Sequence, residues 1–410
     1  MSQSISLAKP GLCSVADARD AMLGVTKALG SEQAALEEAL GRVLVEDLVA
    51  SRDQPPFAVS AMDGYAIRSA DAPGSLHVAG ESAAGRGFEG RCEPGCAIRI
   101  STGAAIPDGA DTIVIQEDVR RDGDSVTVPD SMPGRHVRPR GGDFAAGTKL
   151  LSAGRRLDGV AIALAAASGA ATLAVVRAPR IAILATGDEL AAPGTAPGRW
   201  QIFESGTYGL AGLIGAWGGR ARRLAVERDD AHAIAHAAEH GLGESDLLVV
   251  VGGASVGDHD HARPALARLG LELLVEKVAV RPGKPTWFGI TRLGPVLGLP
   301  GNPASALVCA RLFLRPLIEA MLGRDPAEST MFRRAHLARA LPANGPREHY
   351  LRAWLDLDAD GRAVVRAHED QDSSLISVFA AANALIRLPP GAPALAKGAL
   401  VDVFALDSAC

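Results

Sequence analysis

The spacing of apolar positions changes several times along the chain, and each change marks a different kind of element. Ile181-Ala182-Ile183-Leu184 and Leu247-Leu248-Val249-Val250-Val251 are unbroken apolar runs, too short for helices. Strands covered on both faces read this way. Helical spacing follows them over 205–217, closing at Gly218-Gly219, over 230–240, closing at Gly241, over 260–269, closing at Gly270, and over 303–322. Strands alternating with helices predict a doubly wound sheet over 178–325, whose loops at the carboxyl ends of the strands line one crevice. The Asp188, Gly252 and Gly301 loops are therefore expected to be neighbours.

Upstream, the spacing predicts helices over 14–28 and 31–50. The first starts with Ser14 and Asp17 as a capping pair, and the second repeats Leu36, Leu40, Val43 and Leu44 at helical intervals. From Ser51 to 147 the texture turns to glycine, proline and short β-like runs such as Thr112-Ile113-Val114-Ile115, and helical spacing returns at 155–168. This predicts a β domain inserted between helical segments. Short runs at Tyr350-Leu351-Arg352-Ala353-Trp354-Leu355 and Val401-Asp402-Val403-Phe404 predict a further small β domain. The expected division is an elongated helical domain of 14–50 and 148–177, an inserted β domain of 51–147, an α/β domain of 178–325 and a C-terminal domain of 326–410. Several domains suit 410 residues, since one core stops growing at about 250–300. The uncharged run 159–176 is long enough to raise a membrane span, but it is mostly alanine. Gly169 is expected to split it into a helix and a strand, so no membrane is implied.

A net charge of -5 gives no support to wholesale nucleic-acid binding, and the expected partner is small. Five cysteines, an odd number scattered along the chain, suit reduced thiols in the cytoplasm. Cys92 and Cys96 form a lone CxxxC without a second ligand pair for zinc.

Candidate chemistry sits in four loops. In Pro300-Gly301-Asn302-Pro303, Asn302 is placed to cap a helix that Pro303 begins; the free amides there would bind an oxyanion, though an ordinary capped helix explains the loop equally well. In the 252–260 loop the glycines let backbone amides approach a phosphate, and Asp258 and Asp260 are oxygen ligands suited to Mg2+; Zn2+ through His259 and His261 is the lesser alternative, because an HxH pair entering a helix splays. Asp188 and Glu189 repeat the acidic theme, while Lys277, Arg281 and Lys284 gather positive charge. Carboxylates facing cations across one crevice suit a metal-bridged nucleotide phosphate beside a free anion.

Asp63 in SAMDGYA, Ser101-Thr102-Gly103-Ala104, Asp143 in RGGDF, Thr186-Gly187-Asp188-Glu189-Leu190, GGASVGD with Asp260, PGKP and GLPGNPAS occur in this order over almost the whole chain. Together they resemble the molybdopterin molybdotransferase family, which includes MoeA and the E domain of gephyrin. The resemblance implies a central three-layer, MogA-like α/β domain, an inserted β domain, a helical arm, a C-terminal β barrel and a homodimer. It implies a cytoplasmic enzyme that inserts molybdate into adenylated molybdopterin and releases AMP, with the molybdopterin adenylyltransferase as a further partner.

Carried onto this chain, the resemblance assigns Asp188, Glu189, Asp258 and Asp260 to the pterin nucleotide and its Mg2+, with Glu189, Asp258 and Asp260 as metal ligands. Thr186, Gly252, Gly253, Ser255, Gly257, Pro300, Asn302, Pro303 and Ser305 would bind substrate. Lys277, Arg281 and Lys284, with Arg352 and Ser373, would attract molybdate. Asp63, Thr102 and Asp143 would close the cleft. Asp188, Glu189, Asp260, Lys277, Arg281 and Lys284 form the expected catalytic set. The chain departs from the family pattern at Glu204-Ser205-Gly206, where Asp-Ser-Asn is usual, at Arg281, where lysine is common, and at Ala254. Two other functions compete: an adenylyltransferase, which would need only the α/β domain, and a non-catalytic scaffold, which could lose Asp260 or Glu189.

Overall fold

The computed structural model describes residues 11–252 and 261–406. They form two compact units, one of 11–32, 41–43, 176–252 and 261–406, the other of Gln33–Leu40 and Leu44–Val175.

The first unit is built on a six-stranded sheet in the order Arg220–Arg223, Arg180–Ala185, Leu247–Val251, Pro295–Leu299, Trp287–Ile290, Glu272–Val275. The first four strands are parallel, and Trp287–Ile290 runs antiparallel to both of its neighbours. The apolar runs are continuous because alternate side chains enter different cores. Ile181, Ile183, Leu247 and Val249 pack with Leu210, Ile214, Phe313 and Ile318 on one face. Ala182, Leu184, Leu248 and Val250 pack with Ile234, Ala238, Ala265 and Leu266 on the other. This is a three-layer α/β domain with the strands in the middle.

Three crossover helices lie close to their expected places, at Gly206–Ala216, Ala231–Gly243 and Ala262–Ala267. Gly218 and Gly270 take the positive φ of +96° and +78° that a C-terminal glycine supplies. Gly241 does not close its helix. It lies inside it, where a Cβ would come 2.9 Å from Leu224, so its role is close packing. The expected helix over 303–322 is helical from Pro303 to Met321, passing through a π-helical turn at Ala310–Leu314.

The N-terminal helix is Val15–Gly24, capped by Ser14, whose hydroxyl oxygen accepts from the Asp17 amide at 3.1 Å. The helix expected over 31–50 is a correction. The chain there forms a strand at Ser31–Ala35, a single turn at Leu36–Glu38 and a short strand at Leu48–Val49. Gly41 sits at φ +74°, which no helix interior holds, and Leu40 is 68% exposed, so the four apolar residues never share a face. The run 159–176 divides as expected into the helix Gly159–Ala167, Gly169 at φ +87° and the strand Thr172–Val176. Among the described residues no helix is long and apolar enough to cross a membrane.

The C-terminal strands Arg333–Leu337, Glu348–Leu357, Ala363–Ala367, Ala384–Leu388 and Leu400–Ala405 close into a five-stranded barrel around Leu337, Leu351, Val365, Ile386 and Val403. The short strand Val280–Arg281 pairs in parallel with Glu348 and His349, so the chain leading into the basic loop is hydrogen-bonded to the barrel. The second unit carries its own six-stranded sheet with an apolar cluster on each face, one around Tyr65, Ile67 and Val126, the other around Ala66, Ile98 and Ile113.

Candidate active site

Three strand ends meet at the carboxyl edge of the central sheet. The Thr186 amide donates to Val251 O at 3.0 Å, and the Gly252 amide donates to Leu299 O at 3.3 Å. Gly252 has φ +94°, and a Cβ there would stand 2.5 Å from Thr186 O, so only glycine lets the two loops touch. Gly301 packs on Gly252 Cα. The three loops are thus neighbours, as the topology predicts, and they frame a cavity of about 690 Å³. Its lining includes Thr186, Gly187, Glu189, Glu204, Gly252, Asn302, Pro303 and Ser374.

A second cavity, of about 350 Å³, is lined by Arg281, Lys284, Ser305, Arg347, Gln371 and Ser373. Pro285, Pro300 and Asn302 line both cavities and form the wall between them. Asn302 does not cap its helix with its side chain; Nδ2 donates instead to Ser373 Oγ at 2.9 Å. A partner 71 residues away displaces the local cap and ties the 371–374 segment to the wall. The basic loop is shaped from below. Gly283, at φ +116°, lies on the Cys309 sulfur, and the Thr286 hydroxyl is 2.8 Å from Gly283 O and 3.2 Å from Cys309 Sγ. Burial pushes the Cys309 thiol up to about 12, so it stays protonated.

The other expected residues are less uniformly placed. Glu189 faces the larger cavity, while its neighbour Asp188 is 68% exposed, lines neither cavity and lies 3.8 Å from Arg228. Lys277 also lines neither cavity, and its Nζ is 3.6 Å from Glu276. Arg352 is 1% exposed and fastened to Gln371 and Asp372; burial lowers its pKa, partly offset by Asp370 and Asp372. Gly253, Ser255, Gly257, Asp258 and Asp260 lie outside the described residues. Asp63, Thr102 and Asp143 belong to the second unit. There the Asp63 carboxylate accepts from the Thr102 amide at 2.5 Å and its hydroxyl at 2.8 Å, contacts that hold it below the usual carboxylate range.

Several lining residues have no motif to announce them, among them Arg347, Gln371 and Ser374. Glu204 is buried and accepts from the Thr207 amide and hydroxyl, both at 2.6 Å, and from Arg223 at 3.4 Å. Its carboxylate therefore satisfies the start of the Gly206–Ala216 helix, and a carboxylate three residues before a threonine is the signal that could have shown it. A Cβ at Gly206 would find ordinary contacts of 3.5 Å, so the asparagine usual in the family would meet no clash at its Cβ.

Among the described residues no group of three His, Cys, Asp or Glu is gathered to hold a metal. Among the described residues, the side chains lining the larger cavity that could ligate a metal are the carboxylates Glu189, Glu204 and Asp229, and Glu204 is already engaged by Thr207 and Arg223. Oxygen donors of this kind suit Mg2+.

His349 gives a test of the barrel side of the site. Burial, with Arg281, Arg347 and Arg352 nearby, lowers its pKa to about 4, so it is neutral in the fold, whereas the unfolded chain takes up the proton near 6.5. Stability is full above pH 6.5 and falls as pH drops toward 4. Between pH 7 and 5 the loss from this group is expected to be about 2 kcal/mol. Urea unfolding at both pH values should show that slope, and His349→Gln should remove it.

The fold defines a doubly wound α/β protein with a cavity at its strand ends and a second one beside it. Models of the MoeA N-terminal region (domains I and II), a probable molybdopterin binding domain and the MoeA C-terminal region (domain IV) match residues 13–169, 182–320 and 334–406. The molybdopterin molybdenumtransferase of Nostoc is 34% identical, with 96% of this chain and 94% of the relative covered. Molybdopterin molybdenumtransferase 2 of Mycobacterium tuberculosis is also 34% identical, over 90% and 94%. Two solved structures of the MoeA protein of Pyrococcus horikoshii superpose with TM-scores of 0.81 and 0.76 at 29% and 27% identity, covering 97% of this chain and all of each. The chain belongs to the MoeA family.

Proposed function

We propose that the larger cavity takes adenylated molybdopterin and the smaller one takes molybdate, with Pro300 and Asn302 between them. The chain is an enzyme of molybdenum cofactor biosynthesis, and its reaction is insertion of molybdenum into molybdopterin. The observation that carries the division of labour is the shared wall: Glu189 and the Pro303 helix start stand on one side, Arg281, Lys284 and Arg347 on the other. An oxyanion of two negative charges gathers against the cations, while a phosphate gains the free amides at a helix start. Ser305 and Ser373 supply hydroxyl donors to the oxyanion.

Glu189 would hold Mg2+ together with Asp258 and Asp260. When bound there, Mg2+ supplies charge that polarises the phosphoanhydride. With both reactants held in place and charge offset by the protein, no covalent nucleophile of the chain is required.

The test is AMP release by purified protein supplied with adenylated molybdopterin, Mg2+ and molybdate. Chelation of divalent ions should lower the rate at least about tenfold, and Mg2+ but not Zn2+ should restore it. Adenylation of molybdopterin from ATP without molybdate would instead make the chain an adenylyltransferase, and nucleotide binding without turnover would make it a scaffold. The working protein is proposed to be a cytoplasmic homodimer that receives its nucleotide from the adenylyltransferase, so its mass in solution should be twice that of the chain.

A further inference from the structure

We propose that the amino end of the central sheet, away from the Thr186 and Gly252 loops, carries a separate anion site in which Arg180 and Arg220 take a compact polyphosphate. The inference does not depend on which reactant fills either of the cavities described above.

Arg220–Arg223 is the edge strand of the sheet and pairs in parallel with Arg180–Ala185, so Arg180 stands directly beside Arg220 and Ala182 beside Arg222. Side chains alternate along a strand. Arg180, Arg220 and Arg222 therefore share one face, and Arg223 leaves on the other, where it donates to Thr207 at 2.7 Å and Glu204 at 3.4 Å. The three arginines line a cavity of about 520 Å³, which Gly243, Glu244 and Ser245 border at the end of the Ala231–Gly243 helix.

The charge in this cavity does not balance. Arg222 is neutralised by Glu244 and lies 3.1 Å from His240 Nδ1. The other carboxylates nearby are taken. Asp246 accepts from Arg177 at 3.0 and 2.6 Å and from the Arg180 backbone amide at 2.7 Å. Glu32, close enough for Arg220 to act on its charge, is held by Arg42 at 2.5 Å and by the Ala178 amide at 3.3 Å. The guanidinium groups of Arg180 and Arg220 are exposed and have neither an ion pair nor a hydrogen bond among the described residues. Like charges side by side on neighbouring strands repel. Edge strands do carry charge that discourages pairing with another chain, but charges facing either way along the strand serve that end and need no cavity. Here two free forks stand together at one end of one face, and each fork matches two oxygens of a phosphate. Beyond the arginines, the lining is Ala221, Gly243, Glu244 and Ser245, with no ring or branched aliphatic chain. A nucleobase finds nothing there to stack on, so the fitting ligand is the bare phosphate chain.

The experiment titrates pyrophosphate, sulfate and AMP calorimetrically into full-length protein carrying Arg281→Ala and Lys284→Ala, which removes two cations of the basic cavity. Pyrophosphate should bind at least about tenfold more tightly than sulfate or AMP, and adding Arg180→Gln with Arg220→Gln should weaken it at least about tenfold. Any pyrophosphate held at the Thr186 and Gly252 loops does not respond to that change, so the class of binding that disappears is the one at the arginines. In the otherwise wild-type protein the same two substitutions should leave turnover within about twofold, since the sites are apart. They should also raise Tm in the absence of ligand, because the repulsion is gone. The proposal is overturned if no binding tighter than that of sulfate depends on these two arginines, which would leave a charged edge strand only. It is overturned equally if AMP binds there more tightly than pyrophosphate, since that requires a base contact the cavity lacks. Should the double Gln variant not fold, Arg220→Lys keeps the charge and loses the fork, and it should weaken pyrophosphate at least about threefold.

Discussion

Replacing Arg281 and Lys284 together by alanine is expected to lower kcat/KM for molybdate at least about a thousandfold, or about 4 kcal/mol, with nucleotide affinity held within about threefold. Both side chains line the smaller cavity, and neither has a carboxylate partner among the described ion pairs. Both are exposed, so water screens them. At an effective dielectric well above that of a dry interior, each still contributes about 2 kcal/mol toward a dianion a few ångströms away. Raising ionic strength should weaken molybdate use by the wild type and have little effect on the double variant, because there is less charge left to screen. Arg281→Lys should cost tenfold or less, since it keeps the charge and loses only the planar fork. A double variant that saturates with molybdate normally would remove the basic cavity from the reaction.

The parts of the site that could be read from sequence are those that the sheet topology places automatically. Ile181–Leu184 and Leu247–Val251 read as doubly covered strands, and once they are parallel the Thr186, Gly252 and Gly301 loops must converge. Residue-level facing was not so readable. Asp188 and Glu189 occupy a turn closed by the Leu190 amide, which donates to Gly187 O at 3.2 Å, and only Glu189 of the two lines the cavity. Asn302 has the right type and place for a cap, yet Ser373 takes its amide, and no local pattern encodes a partner that the barrel brings. Gln371 and Arg347 are missed for the same reason. At 31–50 the apolar spacing is real, but Gly41 in a left-handed conformation breaks it, and one glycine weighs little in a window of apolar periodicity.

The support beneath the basic loop leads to the second large effect. Gly283→Ala is expected to destabilise the protein by about 4 kcal/mol and to raise molybdate half-saturation in whatever fraction still folds. Two independent costs add. At φ +116° a side chain strains the backbone by about 1–3 kcal/mol. The new Cβ would also stand 2.1 Å from Cys309 Sγ and 3.3 Å from Val280 Cγ1, overpacking worth about 1–3 kcal/mol. Cys309 cannot withdraw, because it is fully buried on the helix that begins at Pro303. Removing the sulfur should therefore relieve one cost and leave the other. Cys309→Ala alone opens a small void, but combined with Gly283→Ala it lets the methyl occupy that space. A denaturant-unfolding cycle should show a favourable coupling of about 2 kcal/mol between the two changes, with the backbone strain remaining. Strictly additive losses would mean that the loop accommodates the methyl by moving away from Cys309. The sulfur would then not be what holds Arg281 and Lys284 at the mouth of their cavity.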